Sequence, residues 1–359
     1  MGVRTLIGAL ALALGLAGAA HAERFSFVAL GDTAYNPPGD LPKYEALIGT
    51  INRAKPAFTI HVGDTWGAKT CTEENHRWVL GFFQRYDHPV FYTPGDNEWT
   101  DCRKPDVLEA YIRYETGKAS PADMMMLGAA RQFDNAFAGT SFGDPGGSLD
   151  IIRQVFFAKP QSLGQRPAPM VRQSDVSDFK EVAENARWEK GGVVFATVAV
   201  PGSGNGFTLN DETRAKQAIR ENQANVAWIK AAFDEAKAKS ARAVVIALQA
   251  GMFEDARGNE FSGKRLRGGE EGPYYWVAFA IRDGAARFGK PVLLINGDFH
   301  QFVVDQPFMV SQGESKPPLY NNITRVQVFG APEIKAVKIN VDTDTPWVFG
   351  FEPLYVTAP

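Results

Sequence analysis

The sequence predicts an α/β fold, and two observations support that class. Short apolar runs at residues 25–30, 57–62, 89–94 and 291–296 each continue into Gly-Asp, as buried strands do at the edge of a sheet. Stretches with helical spacing separate the first three runs, and a strand-helix-strand order is typical of a right-handed parallel unit. The composition, 45% hydrophobic and 22% charged, is ordinary for a globular protein.

The predicted elements follow from local patterns along the chain. Helical spacing is clear at 43–53, where Tyr44, Leu47, Ile48 and Ile51 recur on one side. In chain order we predict a strand at 25–30, a loop at 35–42, a helix at 43–53, a strand at 57–62, a helix at 73–86, a strand at 89–94, a helix beginning at Pro105, a strand at 193–200, a helix at 211–239, a strand at 243–248, a helix at about 274–288, a strand at 291–296, and antiparallel strands at 325–329, 336–339 and 347–351.

The first 22 residues are predicted to be a secretory signal peptide, which implies a periplasmic or secreted protein. Arg4 precedes an apolar stretch at 6–20, and Ala20-His21-Ala22 gives a small-x-small cleavage site. The stretch is shorter than the ~20 residues of a membrane-spanning helix, and a retained anchor is the alternative interpretation. Since no later segment is long and apolar enough to span a membrane, we expect no stable membrane insertion after cleavage.

Residues 23–359 are predicted to form a single domain of the larger α/β kind. Periodicity fails at about 117–190, which contains several turn-forming residues, and we predict an insertion or lid there. A net charge of −3 offers no basic surface for nucleic acid. The oligomeric state is left open by the sequence.

The two cysteines lie beyond two of the Gly-Asp turns. Cys71 comes seven residues after Asp64, and Cys102 comes six residues after Asp96. Export makes a disulfide possible. If the two strands are neighbours, a bridge would join two loops at one edge of the sheet, whereas two free thiols are the alternative.

Two further segments could contribute to a site. The turn at 201–206 is too irregular for a nucleotide-binding loop, but its Asn205 could line the site. Arg265 and Arg267 lie between glycines at 263–269, where they could form a solvated surface or bind an anionic substrate.

Carboxylates at one edge of a sheet repel one another and are costly to bury, which favours a divalent cation between them. His300 follows Asp298 closely and is a candidate ligand, with a histidine satisfied by backbone hydrogen bonds as the alternative. His61 lies three residues before Asp64, so its side chain should point to the opposite face of the strand. We therefore predict that His61 supports the site from the core, with a metal ligand as the alternative interpretation.

The four motifs, taken in order, resemble those of the calcineurin-like metallophosphoesterases, and within them the purple acid phosphatases. They are Gly31-Asp32, Gly63-Asp64, Gly95-Asp96-Asn97-Glu98 and Gly297-Asp298-Phe299-His300. The resemblance spans about residues 24–340. It implies a four-layer αββα sandwich of two mixed β-sheets flanked by helices, and a site with two metal ions bridged by an aspartate and a hydroxide.

Ligand roles follow from the resemblance by position. Asp64 would bridge the ions, and Asp32 and His300 would hold the first one, which could be zinc, iron or manganese because the ligands are mixed nitrogen and oxygen. The second ion would be magnesium, manganese or calcium, since its ligands offer only oxygen. Those ligands would be Asp64, Asn97, Gln249 and Asp298.

The chain departs from the family pattern at several positions. Ala34 ends the usual Asp-x-His motif, and Gln249 replaces a histidine. Either Asp96 or Asn97 takes the usual asparagine position; we prefer Asn97, which places Glu98 where the family has a proton-donating histidine. The family's tyrosine ligand, three residues past the bridging aspartate, corresponds to Gly67.

The leading hypothesis is an exported hydrolase of small-molecule phosphate esters, in which the bridging hydroxide attacks phosphorus. Its predicted catalytic residues are Glu98, Asn97 and His300, with His61, Asp96, Asn205 and Arg265 surrounding the site or contacting substrate. The rival hypothesis is a periplasmic binding or scaffold protein that has lost activity on the same fold. A third is an unrelated Rossmann-like domain whose Gly-Asp pairs are only turns.

Overall fold

The computed structural model describes residues 23–67, 71–102, 113, 117–122, 124–125, 145–207, 212–254, 265–266, 272–308 and 322–356. The predicted signal peptide at 1–22, the helix beginning at Pro105 and the side chains of Arg265 and Arg267 lie outside the described residues. Within the described ranges, no helix combines the length and the hydropathy that a membrane crossing needs.

The fold is α/β, with two mixed β-sheets flanked by helices, so the predicted fold class is confirmed. The strands are β1 (Phe25–Leu30), β2 (Thr59–His61), β3 (Val90–Tyr92), β4 (Val171–Arg172), β5 (Ala186–Lys190), β6 (Val193–Thr197), β7 (Ala243–Ala247), β8 (Phe253–Glu254), β9 (Arg265–Leu266), β10 (Val292–Asn296), β11 (Val303–Asp305), β12 (Ile323–Gln327), β13 (Ala336–Asp342) and β14 (Val348–Leu354).

The helix predicted at 43–53 is longer at both ends in the structure, whereas the helix predicted at 73–86 ends early. Beyond Phe83, residues 84 and 85 form a turn rather than continuing the helix. The helices are α1 (Leu41–Ala54), α2 (Glu73–Phe83), α3 (Pro145–Phe156), α4 (Gln173–Val176), α5 (Gly202–Asn205), α6 (Glu212–Ala238) and α7 (Tyr275–Phe288), with a 3-10 turn at Asp96–Glu98.

The first sheet has the order β14-β13-β1-β2-β3. Strands β1, β2 and β3 are parallel neighbours, whereas β13 pairs antiparallel with both β1 and β14. The carboxyl ends of β1, β2 and β3 therefore meet at one edge, which places the first three Gly-Asp turns side by side.

The second sheet has the order β11-β12-β10-β7-β6-β5-β4. Strands β6, β7, β10 and β12 are parallel. The antiparallel pairing expected in the tail is found between β12 and β11 and between β13 and β14, but β12 is parallel to its other neighbour, β10. Part of the predicted insertion at 117–190 belongs to this sheet, because β4 and β5 extend its edge by antiparallel pairing. Helix α3, from the same segment, packs against α2.

The core separates into layers because buried strands alternate their side chains. In β7, Ala243, Val245 and Ala247 pack in the core shared by the two sheets, while Val244 and Ile246 pack beneath α6 and α7. The helices α1 and α2 cover the first sheet. This αββα layering leaves the carboxyl ends of the parallel strands as the edge at which polar turns from both sheets meet.

Candidate metal centre

Two tight turns bring Asp32 and Asp64 together at the ends of β1 and β2. The Asp32 N–H donates to the carbonyl of Gly63 at 3.0 Å, and the Thr33 N–H donates to the carbonyl of Asp64 at 3.0 Å. Both aspartates have positive φ angles, 52° and 53°. Such angles are uncommon for residues with a Cβ and are often found where function constrains the backbone.

A turn from the second sheet closes the site from the opposite side. Asp298 and His300 follow β10, with φ angles of 79° and 58°. The Asp298 N–H donates to Asp32 Oδ1 at 2.9 Å, which ties this turn to the end of β1. The absence of a side chain at Gly330 permits this approach, because a Cβ there would lie 2.6 Å from Asp32 Cβ and 2.8 Å from the His300 Cα.

Three potential metal ligands converge at this junction. One ligand atom from each of Asp32, Asp64 and His300 lies within 4.8 Å of the others. His300 Nδ1 lies 2.8 Å from the carbonyl of Ala331, which can only accept, so Nδ1 carries the proton. The lone pair is then on Nε2, 3.8 Å from Asp32 Oδ1, in the form that binds metals.

The residues present fit a cation. Asp32 is fully buried, and its Oδ2 has no hydrogen-bond partner among the described residues. A buried carboxylate oxygen without a donor is costly unless a positive charge reaches it. Mixed carboxylate and imidazole ligands suit zinc, iron or manganese.

The electrostatics of the site oppose the ionised state of its acids. Burial raises the pKa of Asp32 well above its usual value, and the charges of Asp298, Asp96 and Glu98 add to that effect. Burial also raises the pKa of Asp64, reinforced by Asp96, Glu98 and Asp32. Burial lowers the pKa of His300, which keeps it neutral and able to act as a ligand at pH 7.

Tyr35 enters the site although sequence reasoning placed it only in a loop. Its hydroxyl donates to Asp64 Oδ2 at 2.6 Å, and its ring lies edge-on to the His300 ring with a centroid distance of 4.6 Å. Burial and the charges of Asp64 and Asp32 raise its pKa, so it is a neutral donor. The only sequence signal was its position three residues after Asp32.

Asn97 and Glu98 are placed differently from their predicted roles. The Asn97 side-chain Nδ2 donates to Asp64 Oδ2 at 3.1 Å, so its amide presents a donor rather than a ligand oxygen to the site. Glu98 is fully buried and accepts from the N–H groups of Asp64, Thr65 and Gly95 and from the Thr65 hydroxyl. Its oxygens are occupied in holding two turns, which does not fit the predicted proton donor.

The predicted second metal set is partly occupied by internal hydrogen bonds. Gln249 Oε1 accepts from the Gly202 N–H, and Nε2 donates to Asp96 Oδ1 at 3.2 Å, so Gln249 organises the site instead of presenting an oxygen. A Cβ at Gly202 would lie 2.6 Å from Asp96 Oδ2 and 2.7 Å from Asp298 Oδ1. Asp96 and Asn97 are the two candidates for the family's asparagine position. In the structure Asp96 lies toward Asp298, whereas Asn97 lies toward Asp64.

The remaining predicted residues lie around the site in different ways. His61 is buried, burial lowers its pKa to about 3, and its Nδ1 accepts from the Gly63 N–H at 3.2 Å, so it supports the Gly63-Asp64 turn from below. Asn205 does not line the site through its amide, which donates to Asn222 and to the carbonyl of Pro273, each at 3.3 Å. The backbone of Arg265 lies in β9, paired with β8.

The structure contains the Cys71–Cys102 disulfide, with a Cα–Cα distance of 5.5 Å. It joins the segments that follow β2 and β3, as expected if those strands are neighbours. The Trp66 indole N–H donates to the carbonyl of Asn97 at 2.8 Å and links the same two segments. The loops that carry Asp64 and Asn97 are therefore held together twice.

Similarity to known proteins is found among solved structures but not among sequence families or curated sequences. No protein-family profile matches the sequence, and no curated protein matches it. Among solved structures, the chain is similar to "GAP50 the anchor in the inner membrane complex of Plasmodium", with 9% identity, 93% of this chain and 90% of that chain covered, and a TM-score of 0.42. It is also similar to PhoD, with 11% identity, 89% of this chain but only 64% of that chain covered, and a TM-score of 0.47. At these values neither likeness assigns an activity to this chain.

Proposed function

We propose that this chain is an exported, metal-dependent phosphoesterase of the calcineurin-like metallophosphoesterase superfamily, acting on small-molecule phosphate esters. The observation that supports this most strongly is the convergence of Asp32, Asp64 and His300, with ligand atoms within 4.8 Å of one another and a buried Asp32 oxygen that lacks a donor. The disulfide is in keeping with export from a reducing cytoplasm.

Asp32, Asp64 and His300 would hold the first ion, which we propose to be zinc, iron or manganese. Such an ion, when bound, polarises a phosphoryl oxygen and lowers the pKa of a water molecule. The protein itself positions the ligands. Ala331 fixes the His300 tautomer, Glu98 fixes the turn that carries Asp64, and the disulfide fixes the segment that carries Asn97.

A second divalent ion, of magnesium, manganese or calcium, would be held more weakly. We propose Asp298 and Asp96 as its main ligands, because both approach the backbone at Gly202. Asn97 and Gln249 would have to reorient their amides before offering an oxygen, since each now uses its amide in hydrogen bonds to Asp64, Gly202 or Asp96.

Hydrolysis of an aryl phosphate tests the proposal directly. The protein supplied with manganese or zinc should release the phenol, lose that activity on chelation and recover it when metal is restored. Asp64→Asn, which keeps the side-chain shape, should abolish activity, whereas the exposed Asp344→Asn should not. Activity that survives chelation, or full activity in Asp64→Asn, would contradict the mechanism.

A binding or scaffold protein remains the second candidate function, and one observation favours it. Glu98, the predicted proton donor, has its carboxylate occupied by four hydrogen bonds. Metal binding without hydrolysis of any aryl phosphate monoester or diester would support this candidate over the phosphoesterase.

A further inference from the structure

We infer that Tyr35 is a positioning residue that limits the Asp32–Asp64–His300 centre to one tightly held ion, because its hydroxyl occupies one of the two Asp64 oxygens that could bridge to a second. The inference rests on the metal centre of the proposed function and gives a cause for the weaker second ion. It concerns the arrangement of ligands and not a proton transfer.

The Asp64 carboxylate has its two oxygens in different surroundings. Oδ2 accepts from the Tyr35 hydroxyl at 2.6 Å and from Asn97 Nδ2 at 3.1 Å, so both of its lone pairs are directed at donors. Within the described part of the chain, Oδ1 accepts only a long contact from the Asn97 N–H, at 3.3 Å. A carboxylate that bridges two ions needs lone pairs for both, and the donors at Oδ2 compete for one of them.

The Tyr35 hydroxyl does not stand alone. It lies 2.9 Å from Asn97 Nδ2, so that Tyr35, Asn97 and Asp64 form a closed triangle of polar contacts. A second ion at Asp64 Oδ2 would have to separate two hydrogen-bond donors from the same oxygen. The first ion faces no such competition at Asp32, whose Oδ2 has no partner among the described residues.

The position of Tyr35 is built into the fold. Its ring packs edge-on against the His300 ring at an interplanar angle of 85°, so one side chain contacts two of the three ligands. Gly67 provides the space, because a Cβ there would lie 3.1 Å from the Tyr35 carbonyl oxygen and 3.4 Å from its ring. Two hydrogen bonds close the turn beyond Tyr35. The Asn36 N–H donates to Asp40 Oδ2 at 2.9 Å, and the Asp40 N–H donates to the carbonyl of Asn36 at 3.1 Å.

The test counts manganese ions in the wild type and in Tyr35→Phe, which keeps the ring and removes the hydroxyl. Equilibrium dialysis should give one tight ion in both proteins. The second ion should bind about tenfold more tightly to Tyr35→Phe, the ratio expected from one hydrogen bond to a charged group. Electron paramagnetic resonance should then show an exchange-coupled manganese pair in Tyr35→Phe at a concentration where the wild type shows an isolated ion.

Two further variants make the result specific. Tyr355→Phe, at a half-exposed tyrosine near the end of the described chain, should behave like the wild type. Gly67→Ala would place a methyl group close to the Tyr35 backbone and should displace the Tyr35 hydroxyl from Asp64. The affinity for the second ion should then change in the same direction as in Tyr35→Phe. Thermal unfolding in chelator checks that each variant is folded.

The possible outcomes distinguish a failure of the role inferred for Tyr35 from a failure of the proposed metal centre. Two coupled ions of equal affinity in the wild type and in Tyr35→Phe would overturn the role of Tyr35 while leaving the centre intact. Loss of the first ion in Tyr35→Phe would also overturn it, because the hydroxyl would then be supporting the first ion. Absence of any bound ion in both proteins would overturn the metal centre, and the inference with it.

Discussion

The Arg153–Glu184–Glu221 cluster and the Asp32–Asp64–His300 centre both bury two carboxylates, but only the first contains a permanent cation. Arg153 binds Glu184 through two contacts of 2.7 and 2.8 Å and reaches Glu221 at 2.9 Å. At the centre, the only basic side chain within ion-pair distance of Asp32 or Asp64, among the residues described, is His300. Burial lowers the pKa of that histidine, so it brings no charge at pH 7.

The difference separates a structural acid cluster from a candidate ligand set. In the arginine cluster the cation belongs to the chain itself, and the cluster links α3 to α6 whatever the solvent contains. At the strand ends the matching cation has to come from solution. The two clusters can therefore be distinguished without comparison to related proteins. A buried pair of acids that contacts an arginine supports the fold, whereas a buried pair without one is suited to a bound cation.

The largest effect should come from removing the internal cation. Arg153→Met leaves Glu184 and Glu221 buried without a partner, and we expect the free energy of unfolding to fall by about 3–5 kcal/mol. Urea denaturation measures it. Arg220→Met, which breaks an exposed ion pair with Glu181, is the matched control and should lower the free energy of unfolding far less. Equal losses in the two variants would show that the cluster does not depend on its arginine.

A smaller effect should follow when the missing cation is supplied to the strand ends. Manganese at about 100 times its dissociation constant should raise the free energy of unfolding of the wild type by about 2.7 kcal/mol, because only the folded chain presents the ligands together. Asp64→Asn should lose this increment, and in chelator it should be no less stable than the wild type. Differential scanning calorimetry with and without metal measures both, and an equal increment in Asp64→Asn would place the ion elsewhere.

The smallest effect concerns pH at the arginine cluster. Burial and the charge of Glu184 raise the pKa of Glu221 to about 7, against the opposing charge of Arg153. A carboxyl whose pKa is raised on folding binds more protons in the native state, so stability is lost as pH rises from about 4.5 through about 7. Glu221→Gln should flatten this loss, with a gain of about 2.5 kcal/mol at pH 8 relative to pH 5, because each unit of pKa shift corresponds to about 1.4 kcal/mol. Urea titrations at the two pH values measure it, and an unchanged slope would contradict the assignment.

Much of the fold could be predicted because its signals are local. Apolar runs that stop at Gly-Asp marked the ends of β1, β2, β3 and β10, and their parallel order followed from the helices between them. The meeting of Asp32 and Asp64 was accessible in the same way, since the ends of adjacent parallel strands share an edge. His300 follows β10 of the second sheet, so its approach was implied by the family resemblance and not by strand adjacency.

The rest depended on tertiary contacts that no local pattern records. Glu98 was assigned by position in a motif, yet its partners come from the turn after the neighbouring strand, 33 and 34 residues earlier. Tyr35 packs beside Gly67, where a Cβ would lie 3.1 Å from the Tyr35 carbonyl oxygen, and reaches Asp64 across 29 residues of sequence. Arg153 binds glutamates that lie 31 and 68 residues away in the sequence. The strands β4 and β5, at the edge of the second sheet, were not predicted because the sequence before residue 190 lacks clear periodicity.

The left-handed backbone at Asp32, Asp64 and Asp298 bears on how this site could be lost during evolution. Asparagine tolerates the same φ angles, nearly matches the shape of aspartate and would remove a carboxylate from each position, of which Asp32 and Asp64 are buried. Each replacement would therefore be a single, fold-preserving step toward a more stable chain without the activity. Relatives that have given up metal chemistry are expected to carry asparagine at these three positions while keeping every strand and turn in place.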